Sequence, residues 1–168
     1  MKNQPLIEWP TIGLFVLVYA AWAGAVFFLA GGVLWLSVGV AAVAIAFQGS
    51  LQHEALHGHP TGWALANSAL AWPPLTLVIP YPRFRDTHLD HHRDNRLTDP
   101  FDDPESNFLD PEAWHRLPRA MKAVYAANNT LVGRICLGPA LGTWCFLRSD
   151  LHHWRTDPRV VQGWLWHG

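Results

Sequence analysis

The sequence lacks an excess of either charge: 12 Lys and Arg stand against 13 Asp and Glu, the formal net charge is -1, and charged residues make up only 15% of the chain. That balance excludes a surface built to hold a phosphate backbone, so no nucleic-acid partner is expected. It also excludes the one-sided charge of disordered tails, and no low-complexity tract is present. Cysteine is scarce. The two present, Cys136 and Cys145, would face opposite sides of a single helix and could not pair within it, which agrees with a reducing compartment. The most informative shortage is local, because residues 9–52 contain no Asp, Glu, Lys or Arg at all.

No soluble core helix has an uncharged run of that length. The hydrocarbon of a bilayer takes about 20 apolar residues per helix, so the run holds two spans, Ile12 to Ala30 and Val33 to Gln52, joined by a turn at Gly31-Gly32. Trp9 and Trp35 fall near the outer ends of their spans, where an amphipathic indole prefers the headgroup layer. The stretch exceeds the apolar core of a signal peptide, and a second apolar run follows at once, so it reads as a permanent anchor. Lys2 stands before the hairpin and every other Lys and Arg follows it. A hairpin returns to the side it left, and the positive-inside rule makes that side cytoplasmic. The fold expected is an all-α, multi-pass integral membrane protein, with a cytoplasmic and interfacial region over residues 53–168.

That second region is the working half. Pro60 to Pro82 is again uncharged, but Pro73-Pro74 breaks any helix in its middle. Histidine clusters flank it, and a full crossing would separate them by about 30 Å of hydrocarbon. If the clusters share metal, the segment is re-entrant or interfacial. Leu97 to Pro111 is rich in Asp and Pro and reads as a loop. Pro118 to Leu151 mixes apolar and basic positions and reads as helix along a membrane surface, broken at Gly138-Pro139.

The first chemical motif is His53-Glu54-Ala55-Leu56-His57, followed by Gly58-His59-Pro60. His53 and His57 stand at i and i+4 on one helical face, the spacing that two ligands of one metal require. The second is His88-Leu89-Asp90-His91-His92, whose i, i+3 and i+4 imidazoles again share a face. Five imidazoles exceed what one four-coordinate zinc can use. Their number suggests two metal ions with nitrogen ligands and open positions, which suits iron.

In these motifs the chain resembles the membrane fatty acid desaturase superfamily, which includes related lipid and carotenoid hydroxylases and ketolases. The residues that carry the resemblance are the apolar hairpin, His53-Glu54-x-x-His57-Gly58 at its exit and His88-x-x-His91-His92 beyond. The stretch from His53 to Ser106, with Thr98-Asp99-Pro100 and Asp102-Asp103-Pro104-Glu105-Ser106, most resembles bacterial fatty acid desaturases. The resemblance implies that His53, His57, His88, His91 and His92 are metal ligands of two non-haem iron ions. It implies molecular oxygen as co-substrate, a lipid or acyl-thioester substrate, and a ferredoxin, rubredoxin or cytochrome b5-like electron donor. It also implies a place in a membrane, such as the bacterial inner membrane. Breaking an unactivated C–H bond is beyond any side chain, so a metal must carry that chemistry. Glu54, Asp86, Asp90 and Asp94 become candidates to fix imidazole tautomers. Arg83 and Arg85 read most simply as topogenic surface charge.

The chain departs from the family pattern in one respect. A third box, ending His-His, belongs after a further pair of spans. The only other His pair is His152-His153, and the preceding Ser149 and Asp150 do not fit as its first ligand. Gln162 to His167 reads as the opening of a third span near residue 162. The sequence is therefore expected to be the N-terminal portion of a longer desaturase. The rival from another class is a membrane zinc protease, in which His53 and His57 bind zinc and Glu54 is the general base. That reading leaves His88, His91 and His92 largely without a role.

Overall fold

A computed structural model of the chain describes residues 7–76, 78–93 and 109–167. Asp94, the Thr98 to Ser106 motifs and the loop expected from Leu97, up to residue 108, lie outside the described residues. The chain divides into two compact units, Met1–Leu77 and Val78–Gly168. Among the described residues every named element is a helix, and the one β-bridge pairs Ile7 with Thr61.

The first unit is built on two apolar helices. Helix α1 (Trp9–Gly24) continues into a π-helical turn over Ala25–Leu29, and α2 spans Leu34–Leu56. Pro10 is tolerated in the first turn of α1, where the N–H it lacks would have no helical acceptor. The turn closes at Gly31-Gly32 as expected, with the amides of Gly32 and Val33 donating to the Leu29 carbonyl. Ser37 of α2 is bonded to the π-helical turn, its hydroxyl donating to the Ala25 carbonyl at 2.8 Å. Trp9–Leu29 and Leu34–Leu56 are both long and apolar enough to cross a membrane. Only 17% and 22% of their most apolar windows are buried, so their apolar faces are not consumed by a core.

Helix α3 (Ala64–Ala71) packs on α2 and ends at the prolines. Its approach is fixed by buried Asn67, which accepts from the Thr61 amide at 2.9 Å and donates to the Thr61 carbonyl at 2.9 Å. The break at Pro73-Pro74 frees backbone groups, and side chains of the hairpin take them up. In a continued helix the Leu70 carbonyl would accept from the amide of residue 74, but Pro74 has no N–H, and the Tyr19 hydroxyl donates to that carbonyl instead at 2.8 Å. Gln52 donates to the Ala71 carbonyl at 3.0 Å. Gln48 donates to the Pro73 carbonyl and accepts from the Leu75 amide at 3.1 Å. Gln48 is 1% exposed, and its amide matches the unpaired donor and acceptor it meets. Tyr19 stands ten residues into α1, about 15 Å along its axis at 1.5 Å per residue. The segment after Thr61 thus runs well down the hairpin before it breaks.

The second unit contains α4 (Tyr81–Arg93), α5 (Pro111–Arg116), α6 (Arg119–Asn128), α7 (Leu131–Cys136), α8 (Gly138–His153) and α9 (Pro158–Leu165). The helix expected from Pro118 breaks at Gly138, and also earlier, at Asn129. There Thr130 caps α7, its hydroxyl accepting from the Gly133 amide at 3.0 Å. The turn is so tight that a Cβ on Gly133 would fall 1.8 Å from the Ala127 carbonyl oxygen. Cys136 and Cys145 are both free and lie on different helices, α7 and α8. Gln162 to His167 forms the end of α9 and the turn after it. Helix α9 packs on α4, with Gly163 against the Arg83 stem, and its Val160 is buried.

Candidate metal centre

The first histidine box lies at the C-terminus of α2. Gly58 has φ +96°, a left-handed conformation that other residues reach only with strain. Its amide donates to the Ala55 carbonyl at 3.3 Å, and the His59 amide donates to Glu54 at 3.1 Å, which closes a Schellman motif. His57 is the C-cap residue of that motif. His53, one turn earlier, lies on the same face, and the two ring centroids are 4.6 Å apart. The Glu54 carboxylate comes within 3.5 Å of His53 Nδ1. His59 turns elsewhere: its Nδ1 lies 2.7 Å from the Glu8 carboxylate. The Glu8 amide also donates to Pro60 at 2.8 Å, so the start of α1 is tied to the chain just past the box.

The second box occupies α4. His88 is 7% exposed and stacks on Phe84, with centroids 5.8 Å apart. His92 stands one turn on, its Nε2 2.9 Å from His88 Nε2. That is the separation of two hydrogen-bonded imidazoles. It is also about the separation of two nitrogens adjacent on one octahedral ion with metal–nitrogen bonds of about 2.1 Å. The donor chemistry of each box therefore fits a metal. His91 lies to the side, its centroid 6.0 Å from that of His88 and 5.6 Å from that of His92.

The acidic candidates separate on inspection. Asp86 is held by Arg85, whose Nε and Nη2 donate to one carboxylate oxygen at 3.0 and 2.8 Å. Asp90 receives Arg159 Nη1 at 3.2 Å. Arg159 also grips Asp157, and this hydrogen-bonded partner holds the Asp157 carboxyl below the usual carboxylate range.

Arg83 is not the surface charge its sequence context suggests. It is 6% exposed and forks onto Asp150 of α8, with Nη2 to Oδ1 at 2.8 Å and Nε 3.2 Å from both oxygens. The indole of Trp164 donates to Asp150 Oδ2 at 2.8 Å. Gly163 lies flat against the Arg83 stem, and a Cβ there would come 2.7 Å from both Cγ and Cδ. Sequence reasoning missed this cluster because its members are 67 positions apart. One signal was available: Asp150 is the only acidic residue between Glu112 and Asp157. With Asp150 engaged this way, His152 and His153 stand exposed at the end of α8, and His153 Nδ1 lies 2.9 Å from the Ser149 carbonyl.

Fold and site together define a helical protein with two helices of membrane-spanning length and two imidazole clusters suited to a metal. The fatty acid desaturase family model matches residues 30–167, which includes both boxes and the clamp around Arg83. The chain belongs to the fatty acid desaturase family. No curated protein and no solved structure matches it. Membership makes it a desaturase-type oxidoreductase of lipid metabolism in a membrane-associated family.

Proposed function

We propose that the chain takes part in oxygen-dependent desaturation of fatty acyl chains, with His53, His57, His88, His91 and His92 as ligands of two iron ions. The observation that carries this reading is the family match over residues 30–167, because it takes in all five histidines in their two helical registers. Bound iron would supply the oxygen activation needed to break unactivated C–H bonds. Overall, one O2, two electrons and two protons would combine with the two hydrogens removed from the acyl chain to give an alkene and two waters. The electrons would come from a ferredoxin, rubredoxin or cytochrome b5-like donor.

The chain's own residues supply place and order. Neutral imidazoles bind a cation without cancelling its charge, which leaves it electrophilic. The hairpin α1–α2 would sit in the bilayer beside the acyl chains of a lipid or acyl thioester. Tyr19, Gln48 and Gln52 would let the segment after Thr61 enter and leave hydrocarbon without unpaired backbone groups. By the positive-inside rule, both boxes would face the cytoplasm, as at a bacterial inner membrane.

The test is product analysis in membranes supplied with reductant, donor and oxygen. New double bonds in the acyl chains, lost in His91→Ala, are expected. Hydroxylated products without an alkene would move the chain to the hydroxylase branch. Peptide cleavage supported by zinc would refute the reading.

A further inference from the structure

Helix α4 carries three histidines, and two contacts from α8 and α9 hold it on either side of His88. Toward its N-terminus, buried Arg83 receives the bidentate Asp150 carboxylate, with Trp164 completing that carboxylate's bonds. Toward its C-terminus, Asp90 receives Arg159. The two are unequal. The side chains of the first pair are 7% and 4% exposed, whereas those of the second are 52% and 35% exposed and screened by solvent. A planar fork on a carboxylate fixes direction as well as distance, so the first contact can set the rotation of α4 about its axis. Gly163 sharpens this, since its missing Cβ lets the Arg83 stem lie against α9.

Rotation matters to a ligand. A side-chain atom about 6 Å from a helix axis moves about 1 Å when the helix turns by about 10°, and sites of this kind need placement to about 0.5 Å. From this geometry we infer that Asp150, acting through Arg83 and backed by Trp164 and Gly163, is the positioning residue that aims the second histidine box. The inference rests on the reading of His88, His91 and His92 as ligands. It requires no contact between Asp150 and metal or substrate.

Asp150→Asn alone leaves Arg83 buried without its counter-charge and could simply unfold the unit. The deciding variant is therefore Arg83→Met with Asp150→Leu, which removes the directional fork but fills the space with apolar groups. The full chain in detergent would be followed by circular dichroism, by imidazole resonances of ¹⁵N-histidine protein without metal, and by titration with Fe(II). Expected are wild-type helix content, altered His88 and His92 resonances, and Fe(II) affinity lower by about 10- to 100-fold, the usual effect of losing a group that orients ligands. Gly163→Ala should shift the same resonances, and Trp164→Phe should shift them less. A folded double variant with unchanged resonances and unchanged Fe(II) affinity would overturn the inference. If the wild-type chain bound no iron, the desaturase reading would fail, while the metal-free resonances would still decide whether Asp150 aims the box.

Discussion

The two units solve the same problem, holding imidazoles in place, with opposite chemistry. In the charge-poor first unit, apart from the Glu8–His59 contact, the polar work is done by neutral groups on backbone: Tyr19, Gln48 and Gln52 meet carbonyls beside the Pro73-Pro74 break, and Ser37 meets a carbonyl of the π-helical turn. Its box is set by where α2 stops, a local matter decided by Gly58. In the charge-rich second unit the box lies within its helix, and ion pairs from distant sequence hold that helix. The contrast follows composition: the first unit carries two helices long and apolar enough to cross a membrane, and the second carries most of the charge. A neutral amide bonded to backbone is well satisfied in hydrocarbon. A buried charge needs a partner of high geometric quality, and Arg83 has one.

Substitutions in each unit separate the two chemistries. The largest effect is expected from Asp150→Ala, which leaves a buried guanidinium uncompensated and should destabilise the second unit by about 3–5 kcal/mol; thermal unfolding in detergent would show it. Gln48→Leu keeps volume but leaves the Leu75 amide unpaired, at about 1–3 kcal/mol for that buried group, and leaves the Pro73 carbonyl only the longer contact from the Tyr19 hydroxyl at 3.4 Å. Hydrogen exchange should quicken around residues 70–76 and leave α4 unchanged. Gly58→Ala meets no atom within 4 Å, so only its positive φ opposes it. The cost should be about 1–2 kcal/mol, read as fraying at His57 in exchange experiments.

The smallest effect concerns Asp157, whose side chain caps α9 by accepting from the Arg159 amide at 2.9 Å. Arg159 lowers its folded pKa, so its stabilising contribution is present above the unfolded value of about 3.9 and is lost as pH falls through the lower folded value. Acid titration of stability should show a slight decline below about pH 4 that Asp157→Asn removes. An unchanged acid limb in that variant would show that the exposed contact contributes nothing.

Much of the first unit was legible in sequence because its determinants are local. An uncharged run, a Gly-Gly pair and a histidine pair before Gly58 fix the helices, the turn and the box within a few residues of each boundary. The second helix runs on through Leu56 because nothing in His53-Glu54-Ala55-Leu56 stops it before Gly58. The second unit was legible in the break at Gly138-Pro139 and in its histidines. Their i, i+3, i+4 spacing places them on α4, but the meaning of Arg83 depends on Asp150, Gly163 and Trp164, and no periodicity links residues so far apart. The break at Asn129 depended likewise on a close approach between Gly133 and Ala127 that composition does not encode.

Metal content decides whether the five histidines hold iron for acyl desaturation. After anaerobic reconstitution of the full chain with both Fe(II) and Zn(II) offered, about two iron ions per chain are expected, as two nitrogen-ligated centres require. Iron should fall in each of His53→Ala, His57→Ala, His88→Ala, His91→Ala and His92→Ala. One zinc per chain, held by His53 and His57 and indifferent to changes at His88, His91 and His92, would contradict that reading.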